Sequence, residues 1–159
     1  MATAHIRLTI AMVLTARRWR SLLDEKFRAI DQSSARMEAL SAIMNSPPLS
    51  PQVDIARRLR IEGPTLTRMI DSLEKDGLVE RLADPADRRT KQLRVTEDGE
   101  QALEAILEIA DEMRGRLLDG FSDQQIEKIN GFFNELLERL DAGLPAKESA
   151  ELDSEASAR

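Results

Sequence analysis

Proline punctuates the stretch from residue 45 to residue 64 in a way that no continuous helix or central strand tolerates. Pro47 and Pro48 stand side by side, and Pro51 and Pro64 follow. Proline inside a helix removes a backbone donor and clashes with the preceding turn, so this part of the chain must fold as short pieces. Asn45-Ser46-Pro47-Pro48 ends one helix. Ser50-Pro51 opens the next, with Ser50 as N-cap and Pro51 in the first helical position, where no N–H is needed. Val53, Ile55, Ala56 and Leu59 give that helix an apolar face. The interval Arg60–Gly63 breaks the pattern. Pro64 then sits in the first turn of a further helix through Leu66, Ile70 and Leu73, and Gly77 suits the C′ position that ends it.

On either side the apolar spacing has a helical period. Ile6, Ile10, Val13, Leu14, Leu22, Leu23, Phe27 and Ile30 predict a long first helix over residues 5–30. Ser33 or Ser34 caps a second helix that buries Met37, Leu40, Ile43 and Met44. After Gly77, two β-type segments, 78–82 and 92–95, flank an Asp- and Pro-containing loop, the pattern of a hairpin with a charged tip. Thr96 caps a fifth helix whose first turns hold Glu97, Asp98 and Glu100, favourable against the helix dipole. It carries Leu103, Ile106, Leu107, Ile109, Ala110, Met113 and Leu117, and Gly120 ends it. Ser122-Asp123-Gln124-Gln125 has the capping-box form before a last helix with Ile126, Ile129, Phe132, Phe133, Leu136, Leu137 and Leu140. From Leu144 onward the polar composition predicts disorder.

Composition removes several classes of chemistry. With 159 residues the chain has one domain's worth of sequence, and with 42% hydrophobic and 33% charged residues it can bury a core and stay soluble. Cysteine is absent and His5 is the single histidine. A disulfide, a thiolate nucleophile, a thiol redox sensor, a histidine-rich metal site and a Ser-His-Asp triad are therefore not expected. No apolar run approaches the roughly 18 residues that span a bilayer. Leu8–Leu14 is a short apolar segment, but Arg17, Arg18, Trp19 and Arg20 follow where small cleavage-site residues would stand in a signal peptide. The expectation is a soluble cytoplasmic protein with no metal or cofactor.

The formal net charge of −6 is unevenly spread. Residues 1–56 carry seven basic and five acidic side chains, residues 57–96 ten and seven, and residues 97–159 six and seventeen. The acidity lies in the last third, and the middle is locally positive, as a surface that meets phosphates must be. That positive segment also holds two short helices joined by about four residues and followed by a hairpin, the arrangement of a winged helix-turn-helix. The second helix opens with Glu62, Gly63, Pro64, Thr65, Thr67 and Arg68. Short polar side chains and an arginine at a leading end suit the major groove, because Arg bonds guanine bidentately and Thr meets a base edge or a thymine methyl. The hairpin tip offers Arg88 and Arg89 to phosphates or the minor groove, with Asp87 placed to hold one of them. An ordinary amphipathic helix beside a solvated charged turn is the competing reading of each element alone.

The runs Leu49-Ser50-Pro51-Gln52-Val53-Asp54-Ile55-Ala56-Arg57-Arg58-Leu59-Arg60-Ile61, Pro64-Thr65-Leu66-Thr67-Arg68-Met69-Ile70-Asp71-Ser72-Leu73-Glu74-Lys75-Asp76-Gly77-Leu78-Val79-Glu80-Arg81, Asp84-Pro85-Ala86-Asp87-Arg88-Arg89 and Leu93-Arg94-Val95-Thr96-Glu97-Asp98-Gly99 resemble the multiple-antibiotic-resistance-regulator (MarR) family. The Arg17–Arg20 segment and the Ile61–Pro64 turn look closest to its SlyA-like branch. The resemblance covers about residues 5–142. It implies a mainly α fold with a small β-wing: a winged helix-turn-helix over 33–96, dimerisation helices over 1–32 and 97–143, and a tail over 144–159. It also implies a homodimer on a palindromic double-stranded operator, contacted through Ser50, Gln52, Arg60, Gly63, Pro64, Thr65, Thr67, Arg68, Asp87, Arg88 and Arg89. Arg60 stands where the family usually has glycine, and Met37 where a tryptophan is common.

The family often binds small aromatic acids between its dimerisation and DNA-binding parts. The resemblance places Arg17, Trp19, Arg20, Arg36, Met37, Leu40 and Met69 at such a cleft, where an arginine can pair with a ligand carboxylate. Surface charge and core packing are the alternative roles for these residues. The leading expectation is a ligand-released homodimeric repressor. An activator or counter-silencer without an effector, and a helical protein-interaction adaptor, are the alternatives. An enzyme is not expected, because the carboxylates fall on solvated helix faces and no nucleophile pairs with a base. Wide apolar faces at both chain ends call for a partner surface, either a second copy or each other within a monomeric bundle.

Overall fold

The computed structural model describes residues 3–143 apart from Ala86 and Arg88. The order of elements is α1 (Ala4–Phe27), a 3-10 turn (Arg28–Ile30), α2 (Ser34–Met44), α3 (Gln52–Leu59), α4 (Gly63–Lys75), β1 (Val79–Ala83), β2 (Lys91–Val95), α5 (Glu97–Leu117) and α6 (Asp123–Asp141). The fold is mainly helical with one two-stranded antiparallel sheet. The chain divides into two compact units, one ending at Leu117 and the other beginning at Leu118. The segment 144–159, expected to be disordered, lies outside the described residues.

The first unit is built around one aliphatic core. Phe27, Leu40, Ile55, Leu66, Ile70, Leu73, Leu93 and Ile106 are wholly buried and draw on α1 to α5 and β2 together. Each short helix has too few residues to be stable alone, so this shared burial holds them. The hairpin pairs Val79 with Val95 and Arg81 with Leu93. Its base is extended by a bridge between Pro51 and Gln92 and by the Leu93 amide donating to the Ser50 carbonyl at 3.1 Å. The wing is thereby stitched to the start of α3. In the second unit, Ser122 and Gln125 close the capping box of α6.

Several sequence expectations are corrected. Ser50 is not the N-cap of α3. Pro51 occupies that position, and the buried Ser50 hydroxyl donates to the Pro47 carbonyl at 2.7 Å. The double proline leaves carbonyls that need a donor more than the helix start does. Met44 is exposed rather than buried, because Ala39 and Ala42 complete the inner face of α2. The first helix ends at Phe27, and its continuation tightens into the 3-10 turn closed by Asp31 in a left-handed conformation, φ 53°. Arg60, which closes α3, is also left-handed at φ 53°. Glycine adopts that conformation without strain, whereas an L side chain costs about 1 kcal/mol.

One glycine cannot be replaced. At Gly99, in the first turn of α5, an added Cβ would lie 2.0 Å from the Leu78 carbonyl oxygen and 2.6 Å from Val95 Cγ1. The Thr96 hydroxyl fixes this approach by donating to the Gly77 carbonyl at 2.6 Å and accepting from the Gly99 amide at 3.1 Å. The contact is with backbone, which cannot swing aside. Gly99→Ala is expected to destabilise the fold by about 2–3 kcal/mol, the range of overpacked cores. Urea unfolding followed by circular dichroism measures it, and a midpoint equal to that of wild type would show that the α5 entry is free to shift.

Candidate nucleic-acid interface

The rotation of α4 is set by its core stripe. Leu66, Ile70 and Leu73 are inward, so Gly63, Pro64, Thr65, Thr67 and Arg68 are all exposed at the leading end. Glu62 is the N-cap residue in extended conformation, and Pro64 lies in the first turn as its fixed φ predicts. Thr67 donates its hydroxyl to the Gly63 carbonyl at 3.0 Å and accepts the Gln52 amide N–H at 2.9 Å. Gln52, at the start of α3, is therefore coupled to the exposed face of α4.

Two shallow grooves meet at Gln52 and Val53. One, of about 370 Å³ between α3 and α4, is lined by Arg57, Gly63 and Thr67 among others. The other, of about 280 Å³, runs to the wing and is lined by Arg89, Thr90 and Lys91. The structure thus brings Gln52, Gly63, Thr67 and Arg89 to one continuous surface. Arg60, Thr65 and Arg68 are exposed on the same two helices. Ser50 is buried with its hydroxyl engaged, so its role is to support the α3 entry.

The wing tip is organised by carboxylates acting on backbone. Asp87 accepts the Arg89 amide at 3.0 Å and the Thr90 hydroxyl at 3.0 Å. Asp84 accepts the Gln92 side-chain amide at 3.0 Å. Asp87 thus shapes the turn through the Arg89 amide, while the Arg89 side chain is exposed; the alternative pairing of Asp87 with Arg88 lies outside the described residues. Across the hairpin Arg94 pairs with Glu80, and its hydrogen bond holds that carboxyl below the ordinary glutamate value.

Sequence reasoning missed Arg81. Its guanidinium bonds Gln52 Oε1 at 3.2 Å, Asp71 Oδ1 at 2.6 Å and the Thr67 carbonyl at 3.3 Å, and pairs with Glu74. The signal was available: strand period two puts Arg81 on the face of buried Val79, and Asp71 and Glu74 are spaced to share one face of α4. Arg57, paired with Asp54, and Lys91 were also passed over.

The residues suggested for an effector are arranged differently from an open cleft. Leu40 is 0% exposed and belongs to the core, so it cannot line a ligand surface as expected. Trp19, Met37 and Met69 are half-buried against that core. Arg17 is exposed, and Arg20 pairs with Glu38. Arg36 bonds Asp76 at 2.6 Å and the Asp31 carbonyl at 3.4 Å, joining α2 to the end of α4.

Residues 33–91 match the model of the MarR family. Among solved structures, the transcriptional regulator PA3341 is 29% identical, with 86% of this chain and 99% of that chain covered at a TM-score of 0.75. The MepR–DNA complex from S. aureus is 24% identical over 87% of this chain and 98% of that one, at a TM-score of 0.76. A mutant MarR from E. coli complexed with operator DNA is 22% identical over 83% and 94%, also at 0.76. The helix-turn-helix and wing thus match the MarR family model, and the fold over most of the chain is similar to that of solved transcriptional regulators.

Proposed function

We propose that this protein is a homodimeric transcriptional repressor that occupies a palindromic operator and leaves it when a small aromatic acid binds. The observation that carries the DNA-binding part is the exposed leading end of α4, with Thr65, Thr67 and Arg68 outward, continuous through Gln52 with a wing that carries Arg89. The complexes of MepR and MarR with DNA, on the same fold, support that use of the surface. The Arg17–Arg20 segment and the Ile61–Pro64 turn favour a SlyA-like placement within the family.

Arg68 and Arg89 are expected to act differently. Arg68→Ala should cost about 1–3 kcal/mol on the preferred site and relax base preference at one position per half-site. Arg89→Ala should weaken binding to every duplex and flatten the salt dependence, because a wing arginine mainly neutralises phosphate. Fluorescence anisotropy at several salt concentrations separates the two, and unchanged affinity in both variants would overturn the assignment.

Apolar side chains support the dimer. Ile6, Ile10, Val13 and Leu14 of α1 are exposed, as are Ile129, Phe132, Phe133, Leu137 and Leu140 of α6. Faces of this kind mark interaction surfaces, and a two-fold pair presents two α4 helices to half-sites roughly 10 bp apart. Phe133→Asp is expected to shift the protein to monomer at micromolar concentration and to lose at least about tenfold in operator affinity, since one half-site then stands alone. Light scattering coupled to gel filtration reads the first effect. A wild-type monomer that binds a full site would refute the dimer.

For release, Arg36 is the cation we assign to the effector carboxylate. The ligand must displace Asp76 from it, which would loosen the tie between α2 and the end of α4. Such coupling is typically about 1–3 kcal/mol, a 5–150-fold loss of operator affinity, and operator must weaken ligand binding by the same factor. Calorimetric titration of benzoate-class acids with and without operator tests this. Ligand binding that leaves DNA affinity unchanged would eliminate the release mechanism, and equal binding by Arg36→Ala would eliminate the residue.

A further inference from the structure

Arg81 is 16% exposed at its side chain, and its Nε and both terminal nitrogens are all engaged. Such an arginine in a wing strand could simply hold the strand to α4, and Asp71 and Glu74 do that. The bond to Gln52 adds something else. A guanidinium has donors only, so the group of the Gln52 amide that faces Nε must be its oxygen. The NH2 group is then turned to Thr67, whose oxygen accepts one of its N–H bonds. Thr67 can accept because its own proton is directed to the Gly63 carbonyl. Arg81 thus sets which way the Gln52 amide faces, and the Gly63 carbonyl sets the direction of the Thr67 proton.

We infer that Arg81 is a positioning residue for DNA recognition, which fixes the orientation of the Gln52 amide with its NH2 group toward Thr67 on the exposed side of α4. The inference rests on the DNA-binding reading given above. Glutamine reads adenine by using its oxygen and its NH2 together. The oxygen has two lone pairs and the NH2 group two protons, so Gln52 keeps one acceptor and one donor site for a base, in the single orientation that Arg81 and Thr67 hold. A reversed amide would present donor and acceptor in the opposite order, so the orientation held by Arg81 selects which base edge Gln52 meets. Arg81 touches no base in this scheme; it acts through Gln52 and Thr67.

The test uses the full chain and a pool of random duplexes, selected and sequenced to give a base-preference profile for each variant. Arg81→Lys keeps a cation beside Asp71 and Glu74 but loses the Nε–H fork that orients Gln52. It is expected to melt as a folded protein, to change the profile at the positions under α4, and to lower the ratio of specific to non-specific affinity about tenfold, the scale of one base contact. In a Gln52→Ala background the Arg81→Lys substitution should leave the profile as Gln52→Ala alone sets it. A profile unchanged by Arg81→Lys, or one changed equally in both backgrounds, overturns the inference while DNA binding stands. Gln52→Ala is a half-buried surface change that folds whatever Arg81→Lys does, and a profile unaltered by it overturns the inference independently. A wild-type chain that enriches no duplex removes the DNA-binding reading and this inference with it.

Discussion

The burial of Leu66, Ile70 and Leu73 in α4 is the constraint from which the rest of the surface follows. Three wholly buried side chains at helical spacing leave α4 one allowed rotation about its axis. Each buried leucine or isoleucine contributes roughly 1.5–3 kcal/mol relative to exposure, so turning the helix would sacrifice most of what holds a 13-residue element in place. With that stripe inward, Thr65, Thr67 and Arg68 have no choice but to face out. The candidate recognition surface is a by-product of core packing, and no dedicated contact is needed to expose it.

Neighbouring elements are then located by the same core and refined by polar ties. The bridge from Pro51 to Gln92 and the Leu93–Ser50 hydrogen bond hold the wing against the α3 entry. The close approach of Gly99 to the Leu78 carbonyl holds the start of α5 against the end of α4. Between these two fixed points the hairpin is tied at its base, and at its tip Asp84 and Asp87 order the turn through backbone and side-chain hydrogen bonds. A tied base and a polar tip suit the proposal that the wing meets DNA together with α4.

Much of this was legible in the sequence because local chemistry and global packing agree. Proline positions, Gly77, the Thr96 cap and the Ser122–Gln125 box each specify a boundary within a residue or two. The exceptions have physical causes. Ser50 looked like a helix cap, but cap and turn chemistry are the same hydrogen bond aimed at different partners, and the double proline supplied the stronger claim on its hydroxyl. Leu40 was placed at a ligand cleft by resemblance, while its period already put it with Ile43 on the buried face of α2. Arg81 left a partial signal in the strand period and the Asp71/Glu74 spacing, but its link to Gln52, 29 residues away on α3, is made only by folding.

Net charge is a poor guide to what a phosphate meets on such a surface. At physiological salt, exposed charges more than about 8 Å apart hardly interact, so a net charge summed over the chain does not by itself set the potential at any one surface. Nor do all the basic residues of the central segment count equally. Arg81 faces two carboxylates, Arg94 faces Glu80 and Arg57 faces Asp54, and each of these cations is already balanced within the fold. Only cations at the extremities of the surface can add to the field outside it. Arg68 on the leading turns of α4 and Arg89 and Lys91 on the wing occupy those positions. Paired arginines thus build and orient the frame, while Arg68 and Arg89 stand exposed where, in the DNA-binding proposal, a helix and a wing would approach a duplex.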